Sequence, residues 1–368
     1  MALERLDITA VRNLAQVGLR DLSQVNVFFG DNGSGKTSVL ESVYLLGMAQ
    51  TFRRGQIKSL ISHSAQECAV YGQIRRDEGA AVALGVSRDR EGGFQAKIIG
   101  ETVKAASELA EQLPLQVINS ESFNLLSGSP AHRRQFMDWG VFHVEHGFNT
   151  NWHRFQRALK QRNSLLRRGK ITSVELEPWN RELCESGELV DKGRVDYFAD
   201  LEQAFSRLIE RLSPDLAAID LRYRRGWDKK ISLEESLAAA EATDIQQGFT
   251  HVGPQRADLK VVIDGYAAAD VLSRGQQKLA VCALKLAQGQ LLAGGKRRSC
   301  VYLVDDLPAE LDRSHCQLVA EVLSELQTQV FITCVEQHEI ADVWTESSGG
   351  ELNMFHVEHG SVESVAAA

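Results

Sequence analysis

No apolar run in this chain is long enough to cross a membrane. The longest candidate, Leu279–Leu292, is interrupted by Lys285 and Gln288 and falls short of about 20 residues. Cysteine is sparse. Cys68, Cys184, Cys282, Cys300, Cys316 and Cys334 are scattered and none forms a CxxC pair, so a disulfide scaffold or a zinc ribbon is excluded. The start, Met1-Ala2-Leu3-Glu4-Arg5, has no basic-then-apolar leader, and a cytoplasmic protein is expected. Basic charge is not in excess either: 41 Lys and Arg stand against 49 Asp and Glu, a net charge of −8. That argues against wholesale coating of nucleic acid or anionic lipid, though a local basic patch remains open because binding answers to local field.

What is present is an ordinary globular composition, 43% hydrophobic and 24% charged over 368 residues. Such a length suggests about two domains, each able to bury its own core. Strand patterns occur at Leu3–Ile8, Val25–Phe29, Cys68–Arg75, Ala81–Ser87, Gly93–Ile99 and Leu115–Ile118, with a helix expected from Ser38 to Ala49. After Ser129-Pro130 helical spacing dominates, as in Trp152, Phe155 and Leu159, or Phe198, Leu201, Phe205, Leu208 and Leu212. Strand patterns return at Asp258–Ile263, Cys300–Val304 and Gln329–Thr333. The expected architecture is a mixed α/β unit, 1–128 and 246–368, split by a mainly helical insertion at 129–245. One hexapeptide, Phe-His-Val-Glu-His-Gly, occurs at Phe142–Gly147 and again at Phe355–Gly360. Its His-x-x-His spacing can bind metal, but the two copies fall on different local structures, and coincidence is the better reading.

Gly30, Asp31, Asn32, Gly33, Ser34, Gly35, Lys36 and Thr37 fit G-x-x-x-x-G-K-[ST], with a strand before and a helix after. Glycines let successive backbone N–H groups converge on phosphate, and the helix N-terminus adds partial positive charge. Lys36 can reach the terminal phosphates and the Thr37 hydroxyl can ligate Mg²⁺. The apolar strand Val301–Val304 runs into Asp305 and Asp306. Asp305 is placed to hold the Mg²⁺ shell and Asp306 to polarise a water. A third element, Ser273, Arg274, Gly275 and Gln276, opens a helix expected over Lys278–Leu292 and offers further free N–H groups.

These elements, in this order, resemble the ATP-binding-cassette ATPases that act on DNA, the group that includes the heads of structural-maintenance-of-chromosomes proteins. Ser273–Gln276 resembles their signature, Asp305-Asp306 their Walker B pair, and Ala309-Glu310-Leu311-Asp312 their D-loop. A closer resemblance is to the RecF family of bacterial recombination and repair proteins. It is carried by Val11-Arg12-Asn13-Leu14, by Gly128–Asp138 with its Ser-Pro-x-x-Arg-Arg core, and by His251–Leu259 with Gly-Pro-x-Arg-x-Asp. The resemblance implies an ABC-type P-loop ATPase head with an inserted helical arm. It also implies an ATP-dependent, DNA-binding mediator for replication, repair and the SOS response. Arg12, Asn13 and Ser38 would join Gly30–Thr37 around the nucleotide, with Ser273, Gly275 and Gln276 closing from a second protomer. Such proteins bind single-strand/duplex junctions at gaps, work with RecO and RecR to load recombinase, dimerise on ATP and hydrolyse it weakly under DNA stimulation.

Some positions depart from the wider family. Asp306 stands where transporter ATPases carry Glu, which fits slow turnover, and Cys334 stands where their switch His falls. No Gln-loop residue is assigned; Gln116 and Glu121 are the candidates. For DNA, seven basic residues (Arg154, Arg157, Lys160, Arg162, Arg167, Arg168 and Lys170) occur without an acidic one from Asn151 to Lys170. A second cluster is Arg222, Arg224, Arg225, Lys229 and Lys230, with smaller groups at Arg53-Arg54 and Lys296-Arg297-Arg298. No helix-turn-helix, zinc finger or stacking motif is evident, so backbone-directed binding is expected. Rival readings are a P-loop small-molecule kinase, a transporter ATPase subunit, and an ATP-binding scaffold without hydrolysis.

Overall fold

The computed structural model describes residues 2–53, 55–76, 81–169, 171–296, 299–348 and 352–365. The chain divides into two compact units, Met1–Phe123 with Arg274–Ala368, and Asn124–Ser273.

The first unit is built on two six-stranded sheets. One is antiparallel and contains β1 (Ala2–Val11), β2 (Leu14–Leu19), β4 (Glu67–Arg75), β5 (Ala81–Asp89), β6 (Phe94–Ile98) and β7 (Glu101–Val103), in the order β2-β1-β4-β5-β6-β7. In β4 and β5 buried residues alternate with more exposed ones, as in a sheet with one face on a core. The other contains β3 (Val25–Phe29), β8 (Leu115–Ile118), β12 (Val301–Val304), β13 (Val330–Cys334), β14 (Leu352–Glu358) and β15 (Ser361–Val365). Its order is β15-β14-β3-β13-β12-β8, parallel except for the β14–β15 hairpin. Every residue of β12 and β13 is buried, because a parallel sheet covered on both faces wants continuous apolar strands.

One core joins both sheets to the helix Lys36–Met48. It holds Leu3, Leu6 and Ile8 from β1, Val39, Leu40, Val43 and Leu46 from the helix, and Phe28, Phe331 and Phe355 from the parallel sheet. Phe28 stacks between Phe355 and Phe331, at centroid distances of 4.9 and 6.2 Å. Each such side chain contributes about 1.5–3 kcal/mol by leaving water. Close approach here requires glycine: a Cβ on Gly72 would lie 2.4 Å from Leu46 Cδ2, and one on Gly47 2.7 Å from Leu115 Cδ1.

The second unit holds the helices Pro130–Val144, Phe148–Leu166, Ser173–Leu212 and Leu233–Gln247, with a small sheet β11-β10-β9. These strands are β9 (Ile219–Arg224), β10 (Asp258–Ile263) and β11 (Tyr266–Ala267). Capping boxes start two of the helices: Thr172 with Glu175, and Ser232 with Glu235. The insertion expected at 129–245 lies inside this unit, which reaches further at both ends. The physical reason at the C-terminal side is pairing. β10, expected to rejoin the α/β unit, is antiparallel to β9 along its whole length, from Asp258 opposite Arg224 to Ile263 opposite Ile219. Side chains reinforce this. Arg133 is bidentate on Asp258, at 2.7 and 3.2 Å, and donates to Gly128 O at 2.7 Å. Arg194 grips Asp138 at 2.8 and 3.0 Å and donates to Pro254 O. The motif stretches Gly128–Asp138 and His251–Leu259 are thus one structural knot.

The repeated hexapeptide adopts two local structures. Its first copy ends a helix, where His143 packs on Trp139 at 4.5 Å, and its second lies on β14, where His356 packs on Phe29 at 5.2 Å. Among the described residues no group of three His, Cys, Asp or Glu is disposed to hold a metal, and no helix is long and apolar enough to cross a membrane.

Candidate functional site

β3 ends at Phe29 and the chain turns through Gly30, Gly33 and Gly35, all at positive φ (141°, 83° and 124°), before the helix starts at Lys36. Only glycine tolerates Gly30's position, where a Cβ would fall 2.3 Å from Val357 O. Lys36 is buried and folds back on the loop, its Nζ donating to Gly30 O at 2.5 Å and Asp31 O at 2.9 Å. Asn13 fastens the loop to the first helical turn. Its Nδ2 donates to Ser34 O at 2.8 Å and its Oδ1 accepts from Ser38 Oγ at 3.0 Å.

Across the cleft, Asp305 follows β12. Its Oδ1 accepts from Thr37 Oγ1 at 2.9 Å and from Thr333 Oγ1 at 2.8 Å. Thr333 Oγ1 in turn accepts from the Asp306 N–H at 2.9 Å. Asp306 stands at φ 58°, an uncommon left-handed position for a residue with a side chain. Burial first, and then the charge of Asp305, push its carboxyl above the ordinary aspartate range. A carboxylate so raised is a better proton acceptor than a free one.

A cavity of about 800 Å³ joins these groups. Arg12, Asn13, Asn32, Gly33, Gly35, Lys36, Thr37, Ser38, Asp305, Asp306 and Thr333 line it, together with Arg53, Glu310 and the stretch Ser62–Ser64. Its size suits a mononucleotide. Arg12 is bidentate on Glu41, at 3.0 Å to each oxygen, and donates to Ser59 O at 2.6 Å. Glu41 is fully buried in the helix and also accepts from Thr51.

Some expected groups lie elsewhere. Gly275 and Gln276 do not line the cavity; they sit in the first turn of the helix Arg274–Lys296, and Ser273 immediately precedes it in the second unit. Gln116 faces inward and donates to Gln288 Oε1 at 2.9 Å, and Ser120, not Glu121, lines the cavity. Burial pushes the Cys334 thiol, at the position of the wider family's switch His, up to about 12. Glu41 and Thr333 went unread in the sequence. A lone acid on the apolar face of the helix was a signal for Glu41. Thr333 carries none, since only the β12–β13 register sets it beside Asp305.

The basic clusters divide. Arg154 is bidentate on Glu182, at 2.8 and 3.0 Å. Arg162 is fully buried, held by Asp244, Thr250 and Asn180 at 2.6–2.8 Å. Arg225 binds Asp191 and lies over Trp227. Of these three, Arg162 is withdrawn from the surface, and Arg154 and Arg225 are held there by carboxylates. Arg54, Lys170, Arg297 and Arg298 lie outside the described residues, as does the side chain of Lys296.

The profile of the RecF/RecN/SMC N-terminal domain family matches residues 2–355. A curated relative, the DNA replication and repair protein RecF of Pseudomonas entomophila, is 48% identical over 362 residues, covering 98% of each chain. The chain belongs to the RecF family. Another RecF, from Pseudomonas aeruginosa, is likewise 48% identical over 98% of this chain and 97% of its own. Among solved structures, the recombination mediator protein RecF with ATP in the RecFOR pathway superposes with a TM-score of 0.85 at 24% identity, covering 99% of this chain and 97% of that one. An Smc head bound to the winged-helix domain of ScpA superposes at 0.59 and 15% identity, covering 99% of this chain and 97% of that one. The RecF fold and the ABC-type head architecture expected from the sequence are therefore both present.

Proposed function

We propose that this RecF-family protein is a slow, ATP-gated DNA clamp that binds ATP with Mg²⁺ in the cavity and hydrolyses it under DNA stimulation. The observation that carries this reading is the chain Thr37–Asp305–Thr333–Asp306 facing the glycine loop. Loop amides and Lys36 bind the phosphates. The hard oxygens of Thr37 and Asp305, adjacent to each other and to the loop, suit Mg²⁺, which would neutralise phosphate charge. Asp306 takes the proton of the attacking water, whose oxygen forms the new bond to the terminal phosphorus while the bond to the ADP oxygen breaks. Ser273 and Gly275, outside the cavity, act on the nucleotide of a second protomer, which makes the homodimer the hydrolytic form. DNA is bound through its backbone at single-strand/duplex junctions, and RecR with RecO are the protein partners, as the name of the RecFOR pathway in the solved relative suggests. Six unpaired cysteines suit the reducing cytoplasm.

ATP turnover measured against protein concentration, with and without gapped duplex DNA, tests the reading. Specific activity should climb with both. A flat response to both would mean that each protomer works alone, and would reopen the scaffold and kinase readings.

A further inference from the structure

The helix Phe148–Leu166 and the turn that follows it carry two kinds of cation. Arg154 pairs at the surface with Glu182 of the neighbouring helix Ser173–Leu212, and Arg162 is buried on Asp244 of the helix Leu233–Gln247. Arg157, Lys160, Arg167 and Arg168 are exposed, and none makes an ion pair with a carboxylate among the described residues. Arg157 and Lys160 lie three residues apart on the helix, and Arg167 and Arg168 follow in the turn just past Leu166, about 16 Å along at about 1.5 Å per residue. His153, Gln156 and Gln161 share with Arg157 and Lys160 a shallow surface depression, adding neutral hydrogen-bonding groups. Carboxylates are at hand on the adjacent helix, at Glu182 and Glu185, yet they pair with Arg154. On a chain of net charge −8 this is a narrow cationic run, with Glu182 near Arg157 and Glu175 near Arg168 but outside ion-pair distance.

We infer that the stripe Arg157–Lys160–Arg167–Arg168 is where the DNA backbone lies on the second unit. This rests on the DNA-binding reading above and names its surface. A 16 Å track spans about five base-pair steps of 3.4 Å and offers up to four phosphate contacts. Charge complementarity selects the phosphate backbone. The track has no planar group arranged to read base edges, so sequence preference should be weak.

The test is fluorescence anisotropy with labelled gapped duplex across a salt series. It compares wild type with the quadruple variant R157Q/K160Q/R167Q/R168Q, and with R222Q/R224Q/K229Q/K230Q from the other cluster. At about 0.9 per duplex phosphate, the first variant should flatten the log K against log salt slope by up to about 3.6 and lose affinity on the order of 100-fold. The second should change little, and R157K/R167K/R168K should keep the wild-type slope. All four positions are exposed, so melting temperature and nucleotide affinity should hold and report that the variant is folded. An unchanged slope in the first variant, or equal losses in both quadruple variants, would overturn the stripe alone. Wild-type protein that fails to bind gapped DNA would remove the DNA-binding reading and the stripe with it. Loss of binding to polyglutamate with DNA binding intact would assign the stripe to an acidic protein partner and also overturn it.

Discussion

At the scale of the residue, the site divides into groups that grip and groups that aim. On the function proposed above Lys36 is the gripping cation; its ammonium sits on the Gly30 and Asp31 carbonyls of the loop. Charge-assisted hydrogen bonds are worth about 1.5–3 kcal/mol, so Lys36→Ala should weaken a fluorescent ATP analogue by roughly 10- to 100-fold in titration. Thr333 aims. Its hydroxyl ties Asp305 to the Asp306 backbone, and Thr333→Val removes the tie while nearly preserving shape. Turnover should fall about tenfold or more with nucleotide affinity little changed, because catalytic geometry is lost and phosphate contacts are not. A loss confined to affinity would assign Thr333 to binding instead.

At the scale of the element, an ion pair holds together segments far apart in sequence, and a carboxylate caps a helix. Arg133 and Asp258 are both mostly buried, with side-chain exposures of 12% and 15%. Removing one partner leaves the other charge without compensation, so Arg133→Ala should destabilise the second unit by about 3 kcal/mol in urea unfolding. The double variant Arg133→Ala/Asp258→Ala should recover part of that loss. Asp312 caps the helix Arg313–Glu325, accepting from the His315 N–H and from Ser314 Oγ. Hydrogen bonds from Ser314 and His315 hold its carboxyl below the ordinary aspartate range. A depressed value means stability that is present above about pH 4 and is lost as pH falls through the folded-state value. Asp312→Asn keeps a capping oxygen, so its melting temperature should vary less with pH below about 4 than that of wild type. Identical profiles would show that the carboxylate charge contributes nothing.

At the scale of the whole molecule, the helix Arg274–Lys296 begins beside Ser273, while Gly275 and Gln276 stay out of the cavity that holds Lys36 and Asp305. On the shared-site reading proposed above, a nucleotide bound there meets a signature only when a second copy supplies it. Asp306→Asn should therefore accumulate as a dimer in saturating ATP, read by light scattering, and adding Ser273→Arg should return it to monomer. An Asp306→Asn protein that stays monomeric in ATP would sink the shared-site arrangement. Lys278, one turn into the helix, pairs at 2.5 Å with Glu310, which lines the cavity.

The chain's local order was enough to show much of this. Val25–Phe29, Gly30–Thr37 and the following helix are contiguous, and their chemistry is written in backbone freedom and helix polarity that a short segment carries by itself. Val301–Val304 followed by two aspartates is equally local. Tertiary structure decided what depends on partners distant in sequence. β10 looked like a strand of the α/β unit until β9 paired with it, because strand pattern specifies a buried face and not a neighbour. Seven cations looked like one patch until Glu182 and Asp244 claimed Arg154 and Arg162, since spacing along a helix gives direction but not what waits there. Thr333 became part of the site only because β12 and β13 run parallel with Val304 opposite Ile332, which brings Thr333 to Asp305 beside Thr37.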